Sequence, residues 1–459
     1  MAKKKSEVIV SFDDSSSVKQ VTGSCVLVND NILLECGGSQ GGNMLENYKW
    51  NNSNFKFKTK NIEYLFIMHV HADHILRAPL LFARNCNAKV FIPSGNREIM
   101  YKILLNSAMI LEGEAKTLTK RSKNGKEFSP IYTREDVETM MRNVYEVDMG
   151  VNRILDDNTS FYFINSGHVP NGASIMLTVK GKTIYYTSDL GNSKYQAYYC
   201  EDMQIPKNAD LVISESTYAN KQRSSNNPKQ REDDIKRLSS VIEHYDRILI
   251  PCFAFHRSQS IMSLLYDMYN DKNLDHEIYV DSILLNDLNK IFEKRFPKFK
   301  KVLKWNKIHC ITKNERQTLL KSKSKMIIIS ASGSLVAGAS VQWAKEFLPD
   351  PKACFVFVGH QFEGSLGYKI KLKDQKSITI NGEKVVNKAQ VCKLKSFSSH
   401  IQYNELVELL KNINSPKIVL HHGNEGDKLN FKKELEKEFE KICKTSRVIC
   451  PTKSTKIRL

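Results

Sequence analysis

Short apolar runs separated by turn residues open the chain: Val8-Ile9-Val10, Cys25-Val26-Leu27-Val28, the turn Asn29-Asp30-Asn31, and Ile32-Leu33-Leu34. Such runs predict sheet strands joined by tight turns. The last of them delivers an acid at its end, in Glu35-Cys36-Gly37-Gly38. Helical spacing predicts a helix over 76–85, a strand over 88–92 and a helix over 96–111. Residues 116–127 read as a polar excursion, and helical periodicity returns over 133–144. The alternation is that of a layered α/β domain.

Strand signals resume at 160–164 and lead into the glycine-punctuated loop Gly167-His168-Val169-Pro170-Asn171-Gly172, followed by a strand over 175–179. The strand over 182–189 delivers Asp189 at its end, and the one over 211–217 delivers Glu215. A polar stretch, 219–234, then predicts a domain boundary. Beyond it, strands over 247–250, 277–280, 326–330 and 354–358 alternate with helices over 258–269, 284–296 and 339–346, which predicts a second α/β unit with parallel strands. After 385–394 the chain runs through Ser398-Ser399-His400 into a helix reaching Leu410, then a strand, 417–420, that ends in His421-His422-Gly423, and an amphipathic helix over 427–441. No internal repeat has a fixed period.

The densest chemistry is His69-Val70-His71-Ala72-Asp73-His74, directly after the apolar run Tyr64–Met68. A strand ending on its last apolar residue turns His69 and His71 to one side, where imidazole nitrogens reach a metal at about 2.0–2.1 Å. Asp73 and His74 point elsewhere. Two ligand sets diverging from one turn suit two ions about 3.5–4 Å apart. The alternative is a solvated polar loop after a strand.

Lys and Arg number 69 against 50 Asp and Glu, a formal charge of +19. A field of that sign favours polyanions through counterion release, although a Lys-rich surface without a partner has the same composition. No apolar run approaches the roughly 18 residues of a membrane span, and no apolar segment backs the basic start of the chain, so a cytoplasmic protein without a membrane partner is expected. Ten Cys never fall in a CxxC pair, which argues against a zinc ribbon or disulfide framework and for reduced thiols.

Taken in order, HVHADH at 69–74, GHVPNGAS at 167–174, YTSD at 186–189, ESTYAN at 215–220, FSSH at 397–400 and LHHG at 420–423 resemble the β-CASP branch of the metallo-β-lactamase superfamily. The resemblance covers nearly the whole chain and extends to the endonuclease subunit of messenger RNA 3′-end cleavage and its prokaryotic ribonuclease relatives. It implies an α/β fold: a metallo-β-lactamase αββα sandwich split into 1–218 and 395–459, with a β-CASP α/β domain inserted over 219–394. It also implies two Zn2+ ions, one held by His69, His71 and His168, the other by Asp73, His74 and His422, with Asp189 bridging. Of His421 and His422, neighbours in a strand that point to opposite faces, the latter precedes the glycine as the family's ligand does. Glu215 and His400 fall at the family's A and B motifs, where a carboxylate beside an imidazole keeps it protonated for general-acid work; Asp73 joins them as a catalytic residue. Three positions depart from the family pattern: Glu35 replaces an Asp, Ser188 a Gly, and Gln402 an acid.

The expectation is a zinc-dependent ribonuclease that hydrolyses single-stranded RNA, endonucleolytically, leaving 5′-phosphate and 3′-hydroxyl ends. The family's deeply set metals imply a narrow basic cleft between the domains, which a single strand follows more readily than a duplex. A 5′ exoribonuclease or a DNA nuclease of the same family, and an RNA-binding scaffold with a degenerate site, are the alternatives. A homodimer or an RNA-processing complex stays open.

Overall fold

The computed structural model of the protein describes residues 7–41, 43–122, 124–191, 200–222 and 228–459. Parts of three expectations lie outside them: the basic start at 1–6, residue 123 in the polar excursion, and 223–227 in the predicted boundary. The chain divides into two compact units, one of Met1–Gln40, Met44–Ser224 and Ser399–Leu459, the other of Gly41–Asn43 and Ser225–Ser398.

The first unit contains two seven-stranded sheets. One runs Lys456–Arg458, Ile9–Ser11, Val26–Val28, Ile32–Leu34, Tyr64–Phe66, Lys89–Pro93, Val144–Val147. It is antiparallel as far as Ile32–Leu34 and parallel from there on. The other runs Arg447–Ile449, Lys417–Leu420, Leu211–Ser214, Lys182–Tyr186, Ala173–Val179, Thr159–Asn165, Arg153–Asp156, parallel over its first four strands and antiparallel afterwards. Alternate side chains of both sheets share one core, with Val26, Val28, Ile32, Leu34 and Phe66 from the first and Phe161, Phe163, Ile175, Leu177, Ile184 and Ile213 from the second. Each such burial contributes roughly 1.5–3 kcal/mol. On the other face of the second sheet, Tyr185, Val212 and Ile418 pack with Leu406 and Leu410 of the helix Tyr403–Asn412 and with Phe431 and Leu435 of the helix Glu425–Lys441.

Several elements differ from the sequence reading, two of them over the stretch 97–147. The helix expected to stop at 111 runs from Arg97 to Arg121, because Leu111, Ala115 and Leu118 continue its buried stripe through the charged text. The helix expected over 133–144 ends at Met141, and Val144–Val147 becomes a strand paired with Lys89–Pro93.

The second unit is built on a six-stranded sheet, all parallel, in the order Ile308–Cys310, Glu277–Asp281, Met326–Ser330, Arg247–Pro251, Ala353–Phe357, Gln390–Lys393. Trp343 anchors one face of its core and donates its indole N–H to Asp281 at 2.7 Å. Among the described residues no helix is long and apolar enough to cross a membrane.

Candidate metal centre

Strand ends in the first unit deliver the polar cluster. Tyr64–Phe66 passes through buried Ile67–Val70 into a four-residue helix, Ala72–Ile75, with His71 at its N-cap. The loop after Ile32–Leu34, together with Ser24 ahead of Val26–Val28, seats that helix. Ser24 N–H donates to the Asp73 carbonyl at 2.9 Å, Cys36 N–H to that of His74 at 3.0 Å and Gly38 N–H to that of Ala72 at 3.0 Å. Only glycine fits at 37, since a Cβ there would lie 1.6 Å from the Asp73 carbonyl oxygen. The parallel strands Lys182–Tyr186, Leu211–Ser214 and Lys417–Leu420 bring Asp189, Glu215 and His422 to the same edge, and the loop between Thr159–Asn165 and Ala173–Val179 adds His168. Polar groups gathered at the carboxyl ends of parallel strands are the usual location of an α/β site.

Asp189 is the centre of the cluster. Its Oδ2 lies 3.3 Å from Nε2 of His74, 3.5 Å from Nε2 of His69 and 3.5 Å from Nε2 of His168, while Oδ1 lies 3.3 Å from Nδ1 of His422. Oδ2 of Asp73 is 3.5 Å from Nε2 of His422 and 3.7 Å from that of His74. Among the groups of donor atoms that lie within 4.8 Å of one another are His69, His71, His168 and Asp189, and Asp73, His74 and His422; Glu35 with His69 and His74, and Asp189 with Glu215 and His400, form two more. Imidazole and carboxylate donors of this kind suit zinc.

A cation fits the cluster on independent grounds. Nε2 of His69, His74 and His422 and Oδ1 of Asp189 are buried without a hydrogen-bond partner. A buried polar atom left in that state costs roughly 1–3 kcal/mol, so four together are accounted for by ligation. Burial also holds His69 well below the ordinary imidazole range and His71 down at about 4, keeping both in the neutral form that ligates. His74 differs: burial opposes its charge, but the Glu35 and Asp189 carboxylates outweigh burial and raise it well above that range. Burial likewise opposes the Asp189 charge, and the imidazoles of His422, His74 and His400 nevertheless hold it well below the carboxylate range.

His400 stands beside the cluster, its Nε2 3.9 Å from Asp189 Oδ2 and its ring centroid 4.5 Å from that of His168. Its Nδ1 lies 3.1 and 3.2 Å from the two Glu215 oxygens. Burial lowers its pKa, but Glu215 and then Asp189 raise it further, to about 9. Side-chain exposure separates roles: Asp73 at 19 % and His400 at 21 % are open, whereas His69, His74, His168 and Asp189 are at 2 % or less. What approaches the cluster meets Asp73, His400 and the half-buried His71.

The expected ligands, with Glu215 and His400, thus occupy one cluster. His421 points away from it, with Nε2 2.8 Å from the Ser15 hydroxyl. Gln402 caps the helix Tyr403–Asn412 together with Glu405, and its amide donates to the His400 carbonyl at 2.9 Å. A carboxylate could not make that bond. Tyr186 and Thr217 escaped the sequence reading. Tyr186 O–H donates to Glu35 at 2.6 Å, and the Thr217 hydroxyl lies 3.1 Å from Nδ1 of His422. Alternation along 182–186 puts Tyr186 on the inter-sheet face with Ile184, where a buried phenol needs a polar partner.

Residues 258–370 match the family model described as Beta-Casp domain, and residues 384–446 match one described as Zn-dependent metallo-hydrolase RNA specificity domain. Over 424 residues the chain is 27% identical to a ribonuclease of Thermus thermophilus, covering 89% of this chain and 92% of that protein. Over 449 residues it is 24% identical to Integrator complex subunit 11 of Danio rerio, covering 93% of this chain and 71% of that one. A crystal structure of a protein of unknown function from Enterococcus faecalis shares the fold at a TM-score of 0.54, with 11% identity over 99% of this chain and 100% of the other.

Proposed function

We propose that the chain, which matches a Beta-Casp domain and a Zn-dependent metallo-hydrolase RNA specificity domain, is a ribonuclease of the β-CASP branch of the metallo-β-lactamase superfamily, a zinc-dependent endoribonuclease acting on single strands. The observation that carries this reading is the gathering of seven donor residues, Asp189 among them, into one cluster with the Glu215–His400 pair beside it.

In this reading His69, His71 and His168 would hold one zinc and Asp73, His74 and His422 a second, while the Asp189 carboxylate reaches residues of both sets. Bound zinc would supply a water of lowered pKa and polarise the scissile phosphate. His400 keeps its Nδ1 proton on Glu215 and presents its Nε2 proton to the departing 3′ oxygen. Leu190 N–H donates to Glu215 at 2.5 Å and Glu215 N–H donates to the Thr187 hydroxyl at 2.9 Å, so the carboxylate that aims His400 is itself fixed. Asp73, the open carboxylate, orients the attacking water. Because water and not the ribose 2′ hydroxyl attacks, products carry 5′-phosphate and 3′-hydroxyl ends.

The +19 charge supports a phosphodiester substrate whose binding weakens steeply with salt. Residues 219–394 are assigned as the inserted β-CASP domain, within which the matched 258–370 falls. Ten free cysteines support a reducing cytoplasmic setting. A relative named as a subunit of the Integrator complex supports action within a multisubunit assembly.

End-group analysis tests the chemistry. Fragments of a single-stranded RNA should be substrates for direct ligation through 5′-phosphate and 3′-hydroxyl ends. Fragments ending in a cyclic 2′,3′-phosphate would contradict water as the nucleophile.

A further inference from the structure

We propose that Glu35 and Ser188 form a hydrogen-bond relay that orients one ligand histidine of each metal set, His74 and His69, and so couples the two ion positions. The proposal rests on the ligand assignment given above.

Counting protons fixes the direction of every bond in the relay. Glu35 is buried and, as a carboxylate, only accepts. Its Oε2 lies 2.6 Å from Nδ1 of His74 and 2.6 Å from the Tyr186 hydroxyl, so both groups donate to it. Its Oε1 lies 2.5 Å from the Ser188 hydroxyl, which donates its one proton there. The Ser188 oxygen can then only accept from Nδ1 of His69, 3.3 Å away. Both imidazoles therefore carry a proton on Nδ1, which leaves Nε2 as the atom each would offer to a metal, and those same atoms are buried in the cluster without a hydrogen bond. Tyr186, having given its proton to Glu35, accepts from the Ser24 hydroxyl at 3.1 Å, which anchors the far end.

One carboxylate thus sets the tautomer and the ring orientation of a ligand in each set. His422 stands outside the relay, since its Nδ1 faces Thr217 at 3.1 Å and Asp189 at 3.3 Å. Glu35 and Ser188 are two of the three positions that depart from the family pattern, and they touch each other. Ser188 also keeps a side chain at φ +50, a backbone conformation that favours glycine, so its presence there calls for a use of the hydroxyl.

The test is metal affinity rather than activity. Purified wild type and variants are titrated with zinc against a chromophoric chelator, and cobalt absorption spectra report the geometry of each bound equivalent. Ser188→Ala should weaken one equivalent by about 10–100-fold, Thr217→Val should weaken the other, and Glu35→Gln should weaken both. Ser188→Gly should lose the same affinity as Ser188→Ala while raising the thermal midpoint of the metal-free protein, because it removes the hydroxyl and relieves the backbone together. That gain separates loss of the relay from loss of folding. Wild-type affinity at both equivalents in Ser188→Ala and Ser188→Gly, or a Glu35→Gln variant weakened at one equivalent only, would overturn the relay. A wild type that binds no zinc would instead overturn the ligand assignment itself.

Discussion

Nδ1 of His400 lies 3.1 Å from one oxygen of Glu215 and 3.2 Å from the other, and Leu190 N–H donates to the same carboxylate at 2.5 Å. The pair is therefore held from the backbone outward. His400 shares with Asp73 and His71 the open side of a cluster whose other members are buried.

His400→Ala should keep its zinc and its affinity for RNA while cleavage falls by about 10²–10⁴-fold, the usual span of a lost general acid. Single-turnover cleavage and metal analysis of the same preparation check this. Loss of zinc in the variant would make His400 a ligand instead.

Asp189→Asn should disturb both ions together, because the carboxylate reaches both ligand sets, Oδ2 toward His69 and His168 of one and His74 of the other, and Oδ1 toward His422. Metal content per chain reads the outcome. A variant that gives up one equivalent and keeps the other would contradict a bridging role.

Zinc should also stabilise the fold. Ligand that binds only the native state at a hundred times its dissociation constant adds about 2.7 kcal/mol per site. Thermal unfolding should accordingly move upward when zinc is added to chelator-stripped protein and should not respond to calcium, which prefers oxygen donors. Equal responses to the two cations would speak against an imidazole-rich site.

A pH test addresses a buried cation away from the ligands. Lys428 donates to the Val18 carbonyl at 2.5 Å, and burial pulls its pKa from the ordinary 10.5 down to about 8. The unfolded chain binds the extra proton between those values, so folding stability contributed by this residue rises with pH through that window and is lost as pH falls toward 8. Denaturant titrations of wild type and Lys428→Met should diverge in favour of the wild type by on the order of 3 kcal/mol between pH 8 and pH 10.5. A difference independent of pH would contradict the depressed pKa.

Much of this site is legible in the text because its donors sit at strand ends. A short apolar run followed by His, Asp or Glu announces both the strand and what it delivers, as Tyr64–Met68 does for His69 and Leu211–Ser214 for Glu215. The parallel sheet of the second unit is legible for the same reason, since its strands are nearly continuous apolar runs separated by helices.

What the text conceals is contact across the chain. Tyr186 and Ser188 lie 151 and 153 residues from Glu35, and no local pattern links them. Charged residues also hid part of a helix, because Leu111, Ala115 and Leu118 are spread among Lys and Glu and their stripe is apparent only once packed. One miss was avoidable. Asn381-Gly382 between Ser377–Ile380 and Glu383–Val386 is the strongest short hairpin signal, and the structure forms that hairpin with Ile380 paired to Glu383.

The most direct test of the account is incubation of the zinc-loaded protein with a circular single-stranded RNA, a 5′-labelled linear RNA and a matched DNA, with Asp73→Asn alongside. The account predicts that the circle is opened by the wild type, that the RNA is cut in preference to the DNA, and that Asp73→Asn cuts neither. An intact circle beside degradation of the linear RNA from its 5′ end, or no cutting of any strand by protein that holds two zincs, would contradict it.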